Sequence, residues 1–282
     1  MTRKLVLWFG DHPYQVYQAH RFHQKFEIAG VVFERKPRRV PRLSIRRLLE
    51  KLLSRLLAYP LHAGWIQLLS QYRELCPGYP NIPTLFVENV NSPEVQDFTR
   101  QQQADLVLVS GTGMVREPLV SFPCELGIMN LHTGLSPYIN GGPSCTNWCL
   151  ATGDLHLIGN TVMWLDAGID SGKIIATATV DFTGKENLAA IQRKVFDSGQ
   201  DLYERCVEAV LAGISCPGVP QETLGVEGRT YFTREWGLLN QLRALWNWLH
   251  FHQGIHSADY LKKKASLRLV DAPEVSADSC LA

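Results

Sequence analysis

The chain has 282 residues, 45% of them apolar and 20% charged, enough to bury the core of one large domain with a smaller addition. Its formal net charge of +1 leaves no overall field for nucleic acid or a membrane. Seven scattered cysteines without a C-x-x-C pair read as reduced thiols, and no apolar run is long enough for a signal peptide or a membrane span, so a cytoplasmic protein is expected.

Residues 4–9 read as a first buried strand, 14–26 as a helix after the Gly10-Asp11-His12-Pro13 turn, and 28–33 as a second strand. This β-α-β opening is Rossmann-like. It has one glycine where the dinucleotide fingerprint needs three, which argues against a dinucleotide cofactor. Nine basic residues follow: Arg35, Lys36, Arg38, Arg39, Arg42, Arg46, Arg47, Lys51 and Arg55. Ser44 is placed to cap a helix whose apolar side carries Ile45, Leu48, Leu49, Leu52, Leu53, Leu56 and Leu57 at three- and four-residue spacing. That helix is expected to pack on the sheet with its basic face solvated; a phosphate-rich acceptor and an anionic membrane surface are the alternatives. Together with the run through Trp65 to Cys76-Pro77-Gly78 it forms a basic helical insertion, residues 34–80.

A short strand at 84–87, a helix at 92–103 opened by Pro93, and a central strand at 104–110 come next. The last ends in Gly111-Thr112-Gly113-Met114-Val115, where glycines allow close backbone approach and Met114 and Val115 can line a flat ring.

Residues 127–175 carry the polar side chains that invite a chemical reading. A strand-like period puts Asn130 and His132 on one face and Met129 and Leu131 on the other. Turn residues follow at once, so the pair ends a strand, where open α/β sheets place their ligands. A second strand at 159–165 runs into Asp166-Ala167-Gly168-Ile169-Asp170-Ser171-Gly172, a tight loop with two carboxylates. Asn130, His132 and Asp170 can converge there. Such a trio suits attack of a neutral amine on an acyl or formyl carbon. An amide and a protonated imidazole stabilise the oxyanion; a carboxylate raises the imidazole pKa and takes the amine proton. On the pattern alone, the three also read as a turn former, a core histidine and a loop carboxylate.

Further on, 174–182 alternates as a strand and 187–211 reads as an amphipathic helix stopped at Gly213. Residues 229–236 suggest a short strand and turn. Residues 238–251 form an apolar helix with Trp246 and Trp248, which docks on the main domain or makes a dimer contact, docking being the better reading. His252 and His256 stand one turn apart without a further ligand nearby, so no metal is expected. From 262 the chain reads as a polar, poorly ordered tail.

The order N-x-H, L-x-P, a glycine-and-proline turn, W-x-x-x-x-G-D, a strand and D-x-G-I-D-x-G resembles the folate-dependent formyltransferases, which move a formyl group from 10-formyltetrahydrofolate to an amine. The likeness is specific over 127–175 and looser over 1–212. It implies an α/β fold: a Rossmann-like open twisted sheet, mostly parallel, with helices on both faces. Residues 1–212 would be the catalytic domain, 213–261 a small helical C-terminal appendage and 262–282 a disordered tail. It also implies Asn130, His132 and Asp170 as catalytic residues. Met114, Val115, Asp166, Gly168 and Ile169 would border the pterin of the donor, 10-formyltetrahydrofolate, with no metal.

His12 and Pro13 stand where the purine-pathway members have a glycine-rich phosphate loop, and the residues after 228 pattern as helix rather than the β-barrel of tRNA-acting members. The acceptor expected by resemblance is therefore a small primary amine, best a nucleotide-linked amino sugar. No nucleic-acid partner and no stable membrane insertion are expected, and a homodimer is left open. Thr133, Gly134 and Asn140 depart from the family pattern and leave the amine unnamed. Two rivals remain: a non-catalytic folate or nucleotide binder, and an acyl hydrolase using Cys145 or Cys149 with His132.

Overall fold

The structure, a computed structural model, describes residues 3–37 and 45–274, without the side chains of Arg46 and Arg47. The elements run β1 (Leu5–Gly10), α1 (Pro13–Lys25), β2 (Ile28–Glu34), α2 (Ile45–Leu57), α3 (Tyr59–Leu75), β3 (Thr84–Val87), α4 (Pro93–Gln101), β4 (Leu106–Ser110) and β5 (Ile128–His132). They continue with β6 (Ile139–Gly141), α5 (Cys145–Thr152), β7 (Gly159–Trp164), β8 (Ile174–Thr179), α6 (Leu188–Leu211), β9 (Arg229–Tyr231), α7 (Leu238–Leu249), α8 (Phe251–Ile255) and α9 (Ala258–Ala265).

Seven strands form one sheet in the order β3-β2-β1-β4-β5-β7-β8. The first five are parallel; β7 runs antiparallel to β5, and β8, antiparallel to β7, closes the sheet. Continuous apolar sequences make this possible, because a strand covered on both faces must bury every side chain. In β1 all six residues are buried. Leu5, Leu7 and Phe9 pack with Val16, Phe22 and Tyr203 from α1 and α6. Val6 and Trp8 face the other way, with Val95, Val107 and Phe122. Helices thus cover both faces, as the resemblance implied.

Two features bring α6 close to the strands that carry the site. Gly199 lies against Asn160, where an added Cβ would meet Oδ1 at 2.7 Å. The Tyr203 hydroxyl donates to the carbonyl of Met129 at 2.7 Å and accepts from the amide of Val109 at 3.0 Å, bridging β4 and β5 beneath the site.

The strand order reverses between β1 and β4: the chain leaves β1 for β2 on one side and returns to β4 on the other. Loops diverge at such a point and leave a crevice beyond the carboxyl ends of the strands. Gln15 spans it, donating to Ser110 O at 2.9 Å. Gly111, at φ +65°, lies under that amide, where a Cβ would come within 1.5 Å of Gln15 Nε2.

Two expectations are corrected. Helix α2 does not bury its apolar side on the sheet; Leu48, Leu49, Leu52 and Leu56 are more than half exposed, because hydrophobic period fixes which residues share a face and not what covers it. The segment from 262 is helical to Ala265 and then bonds to β8, Thr177 N donating to Val270 O at 2.8 Å. Ser257 caps that last helix through Tyr260 N, a local signal outweighed in the sequence reading by the polar composition. Residues 213–261 are helical in their second half and pack against the main domain, the docking preferred above over a dimer contact. Ala244, Phe251 and Ile255 share one cluster with Trp148, Leu150 and Ile191 of α5 and α6, so α7 docks within the chain. The expected cap Ser44, the basic residues Arg38, Arg39 and Arg42, and residues 275–282 lie outside the described residues.

Candidate active site

The crevice beyond β1, β4 and β5 is a cleft of about 580 Å³. It is lined by all eight residues expected to act there: Asn130, His132, Asp170, Met114, Val115, Asp166, Gly168 and Ile169. Asn130 and His132 project from β5 on one face, as the period of a strand requires. Asp170 reaches them from the loop between β7 and β8. His132 Nδ1 lies 3.3 Å from Asp170 Oδ1, and the second carboxylate oxygen accepts the Gly141 amide at 3.1 Å.

The carboxylate is held in a strained setting. Asp170 has φ +51°, a left-handed conformation that costs a non-glycine residue of order 1 kcal/mol. Its carbonyl accepts from Gln221 Nε2 at 2.7 Å, which fixes the turn from below. Gly141, at φ +88°, is held against β9, where a Cβ would meet Tyr231 O at 2.1 Å.

Electrostatics make His132 the charged member of the pair. Burial opposes the imidazolium, yet the Asp170 carboxylate and the Cys145 thiol outweigh it and push the pKa up to about 9. The ring is therefore protonated at neutral pH. Nε2 lies 3.4 Å from Ile139 O and 3.5 Å from Cys145 Sγ. That sulfur sits at the first turn of α5, also 3.5 Å from Gly141 O, so its proton is directed at backbone carbonyls. Among the described residues, the Asn130 carboxamide has no hydrogen-bond partner, which leaves its donor and acceptor for a ligand in the cleft.

Residues 23–207, about two thirds of the chain, match the family described as formyl transferase. The chain belongs to the formyl transferase family. It is similar to the methionyl-tRNA formyltransferase of Geobacter sulfurreducens, 28% identical over 134 residues that make up 47% of this chain and 41% of the relative. It is also similar to the methionyl-tRNA formyltransferase of Bacteroides thetaiotaomicron, 30% identical over 148 residues, 52% of this chain and 45% of the relative. The chain spans about half the length of the curated relatives it matches.

Among solved structures, it is similar to the phosphoribosylglycinamide formyltransferase of Anaplasma phagocytophilum, with a TM-score of 0.53 and 17% identity, covering 83% of this chain and 100% of that one. It is likewise similar to an N-formyltransferase from Helicobacter canadensis in complex with folinic acid and dTDP-3-aminofucose, with a TM-score of 0.53, 12% identity, and coverage of 86% and 80%. At these identities the likeness bears on the fold.

Within this formyl transferase the loop after β4 is fixed by side chains from β2 and α4's approach. Buried Glu34 accepts from Val90 N at 3.0 Å and from Gly113 N. Asn91 brackets the apolar pair, donating to Met114 O at 2.8 Å and accepting from Arg116 N at 2.7 Å. Across the cleft, Ser171 Oγ and Gly168 N both donate to the Asp166 carboxylate and close the opposite loop. Met114 and Ile169 stand exposed at 42% and 39%, apolar side chains on two of the loops that line the cleft.

Sequence reasoning missed one wall. Tyr231, Phe232 and Thr233 line the cleft from the C-terminal region, because three-residue β9 pairs in parallel with β6. Tyr231 stacks on Trp148 with ring centroids 4.3 Å apart. The aromatic pair in Arg229-Thr230-Tyr231-Phe232 was the available signal, but a three-residue pairing across some 90 positions leaves no periodicity. The other end of the cleft carries His12, Lys36, Tyr14 and Phe196. Tyr14 and Phe196 stack at 4.1 Å, and burial lowers the His12 pKa, so that ring is neutral. The six described cysteines are free, and no described cluster of His, Cys, Asp and Glu could hold a metal.

Proposed function

We propose that the chain transfers a formyl group from 10-formyltetrahydrofolate to the primary amine of a small acceptor, with a nucleotide-linked amino sugar as the acceptor class. The observation that carries this reading is the meeting of Asn130, the His132 imidazolium and Asp170 at one end of a cleft whose other end is aromatic and basic.

The donor supplies an amide-like formyl carbon on nitrogen. Met114, Val115 and Ile169 hold its flat ring, with Asp166 and Gly168 shaping the loop beside it. The Asn130 amide donates to the formyl oxygen as the acceptor nitrogen adds, and the His132 imidazolium supplies positive charge beside it, stabilising the charge that grows there. Asp170 keeps His132 protonated and, through water, accepts the proton the amine sheds. The donor nitrogen leaves as an amine after taking up one proton, so the exchange is neutral overall. No side-chain nucleophile takes part.

Support for the acceptor class comes from the far end of the cleft. Lys36 offers a charge for a phosphate and the Tyr14–Phe196 stack a surface for a base. The rival acceptor is the methionyl-tRNA named for the sequence relatives. The test is tetrahydrofolate release from 10-formyltetrahydrofolate over a set of nucleotide-linked amino sugars, with glycinamide ribonucleotide and methionyl-tRNA alongside. Turnover with a sugar nucleotide alone is expected. Turnover with the tRNA alone overturns the acceptor class, and binding of the donor without turnover on any amine overturns the enzyme reading.

A further inference from the structure

Seven large apolar side chains on one helix face outward. Along α2, Ile45, Leu48, Leu49, Leu52, Leu53, Leu56 and Leu57 range from 38% to 87% exposed. The turn of an α-helix gathers them on one side, sets Glu50 and Ser54 opposite, and leaves Lys51 and Arg55 on one flank. The polar side is the one against the protein. Ser54 Oγ donates to Gln241 of α7 and lies 3.3 Å from His62 Nε2 of α3, and Glu50 lies beside Gly237. A surface helix ordinarily buries its apolar stripe and wets its polar one. This one is seated the other way round.

We propose that α2 lies in the surface of an anionic lipid bilayer, leucines in the acyl boundary and basic flank on the headgroups. Charge selects this occupant. Along α2 itself the sequence holds four basic residues, Arg46, Arg47, Lys51 and Arg55, against one acid, Glu50, in a chain whose net charge is only +1, so the helix that carries the apolar face is itself cationic. A juxtaposed cationic stretch and in-plane apolar stripe is what an interfacial helix needs, each basic residue adding attraction to anionic lipid. A second copy fits worse: a two-fold contact through α2 would bring the same cationic segment against itself. The neighbouring helices extend the apolar surface, with Tyr59 on α3 at 65% and Leu239, Trp246 and Leu249 on α7 at 63%, 64% and 70% exposure. Tyr and Trp suit the headgroup level. Among the described residues no helix is long and apolar enough to cross a membrane, so the seat is in the plane.

The test is co-sedimentation of the full chain with phosphatidylcholine vesicles, with and without phosphatidylserine, read without reference to activity. Binding to the phosphatidylserine vesicles, weakened by high salt, is expected. The pair Leu52→Asp and Leu56→Asp should weaken it about tenfold or more. Lys51→Glu with Arg55→Glu, which leaves the apolar face intact, should weaken it several-fold and blunt the salt dependence. Circular dichroism verifies that both variants stay folded. The proposal is overturned if no vesicle binds the wild-type chain, or if both variants bind as it does. It is also overturned if sedimentation velocity shows a dimer that the leucine variant splits while vesicles are ignored.

Discussion

Replacing Asp170 by Asn removes the charge that keeps His132 protonated while leaving nearly the same shape. The wild-type rise from 6.5 to about 9 corresponds to about 3 kcal/mol in favour of the charged ring. Without the carboxylate, burial is opposed only by the smaller contributions of Cys145 and Ile139 and the ring pKa falls, so at pH 7.5 less of the ring is charged. A neutral ring no longer sets a positive charge beside the growing oxyanion. Loss of one preorganised group that stabilises an oxyanion lowers kcat by about 100- to 1,000-fold. The assay is tetrahydrofolate release across pH 5.5–10, paired with NMR titration of the His132 ring. The wild-type rate should hold through neutrality and fall as pH rises through about 9, and the Asp170→Asn rate should be low throughout. A ring still titrating near 9 in the variant, or a rate within threefold of wild type, would refute the assignment.

The same pair sets a stability term whose sign follows from the raised folded-state pKa. The folded protein holds the His132 proton more tightly than the unfolded chain does. The gain is therefore fully present below pH 6.5 and is lost as pH rises through about 9. Urea unfolding at pH 6 and pH 9.5 should differ by up to about 3 kcal/mol more in wild type than in Asp170→Asn.

Asn130→Ala should lower kcat about 100-fold with little change in KM for either substrate, since the carboxamide is assigned to the growing charge; a rise in KM alone would make it a ground-state contact. Cys145→Ser should keep turnover within tenfold, because the thiol only neighbours His132 Nε2; covalent labelling by an acyl donor, with turnover abolished in the variant, would make the sulfur a nucleophile instead. Gly141→Ala should destabilise the chain by about 2 kcal/mol or more in urea and lower kcat with it, because the added carbon would meet Tyr231 O at 2.1 Å at φ +88°.

The sheet was legible because its strands are buried on both faces and their sequences are nearly all apolar, the clearest pattern a chain can carry. The strand ends of β3 agree with the expected 84–87, and Asn187 caps α6 as its position before the amphipathic run suggests. The convergence of Asn130 with His132 was readable from period alone. That of Asp170 was readable only as a carboxylate in a turn. Its left-handed backbone and its bond to the Gly141 amide arise from contacts 29 residues apart, and no local preference encodes them. Helix α5 was left out of the sequence reading for a similar reason. Six of its eight residues are buried, so it has no polar face to give it a helical period.

The C-terminal region is what joins these parts into one site. Gly141 donates to Asp170 and is pinned by β9, while Trp148 of α5 donates to Gly142 O and stacks on Tyr231. Tyr231 in turn shares an apolar cluster with Ala244 of α7 and Phe251 of α8. The orientation of the Asp170 carboxylate thus depends on packing supplied by residues beyond 228, through a chain of direct contacts rather than through the sheet. A region that reads from sequence as an appendage is, by these contacts, a wall of the cleft. On the function proposed above, its aromatic side chains and the His12–Lys36 end border the acceptor's approach, so acceptor preference should trace to them, while Asn130 and His132 at the sheet edge serve the transfer itself.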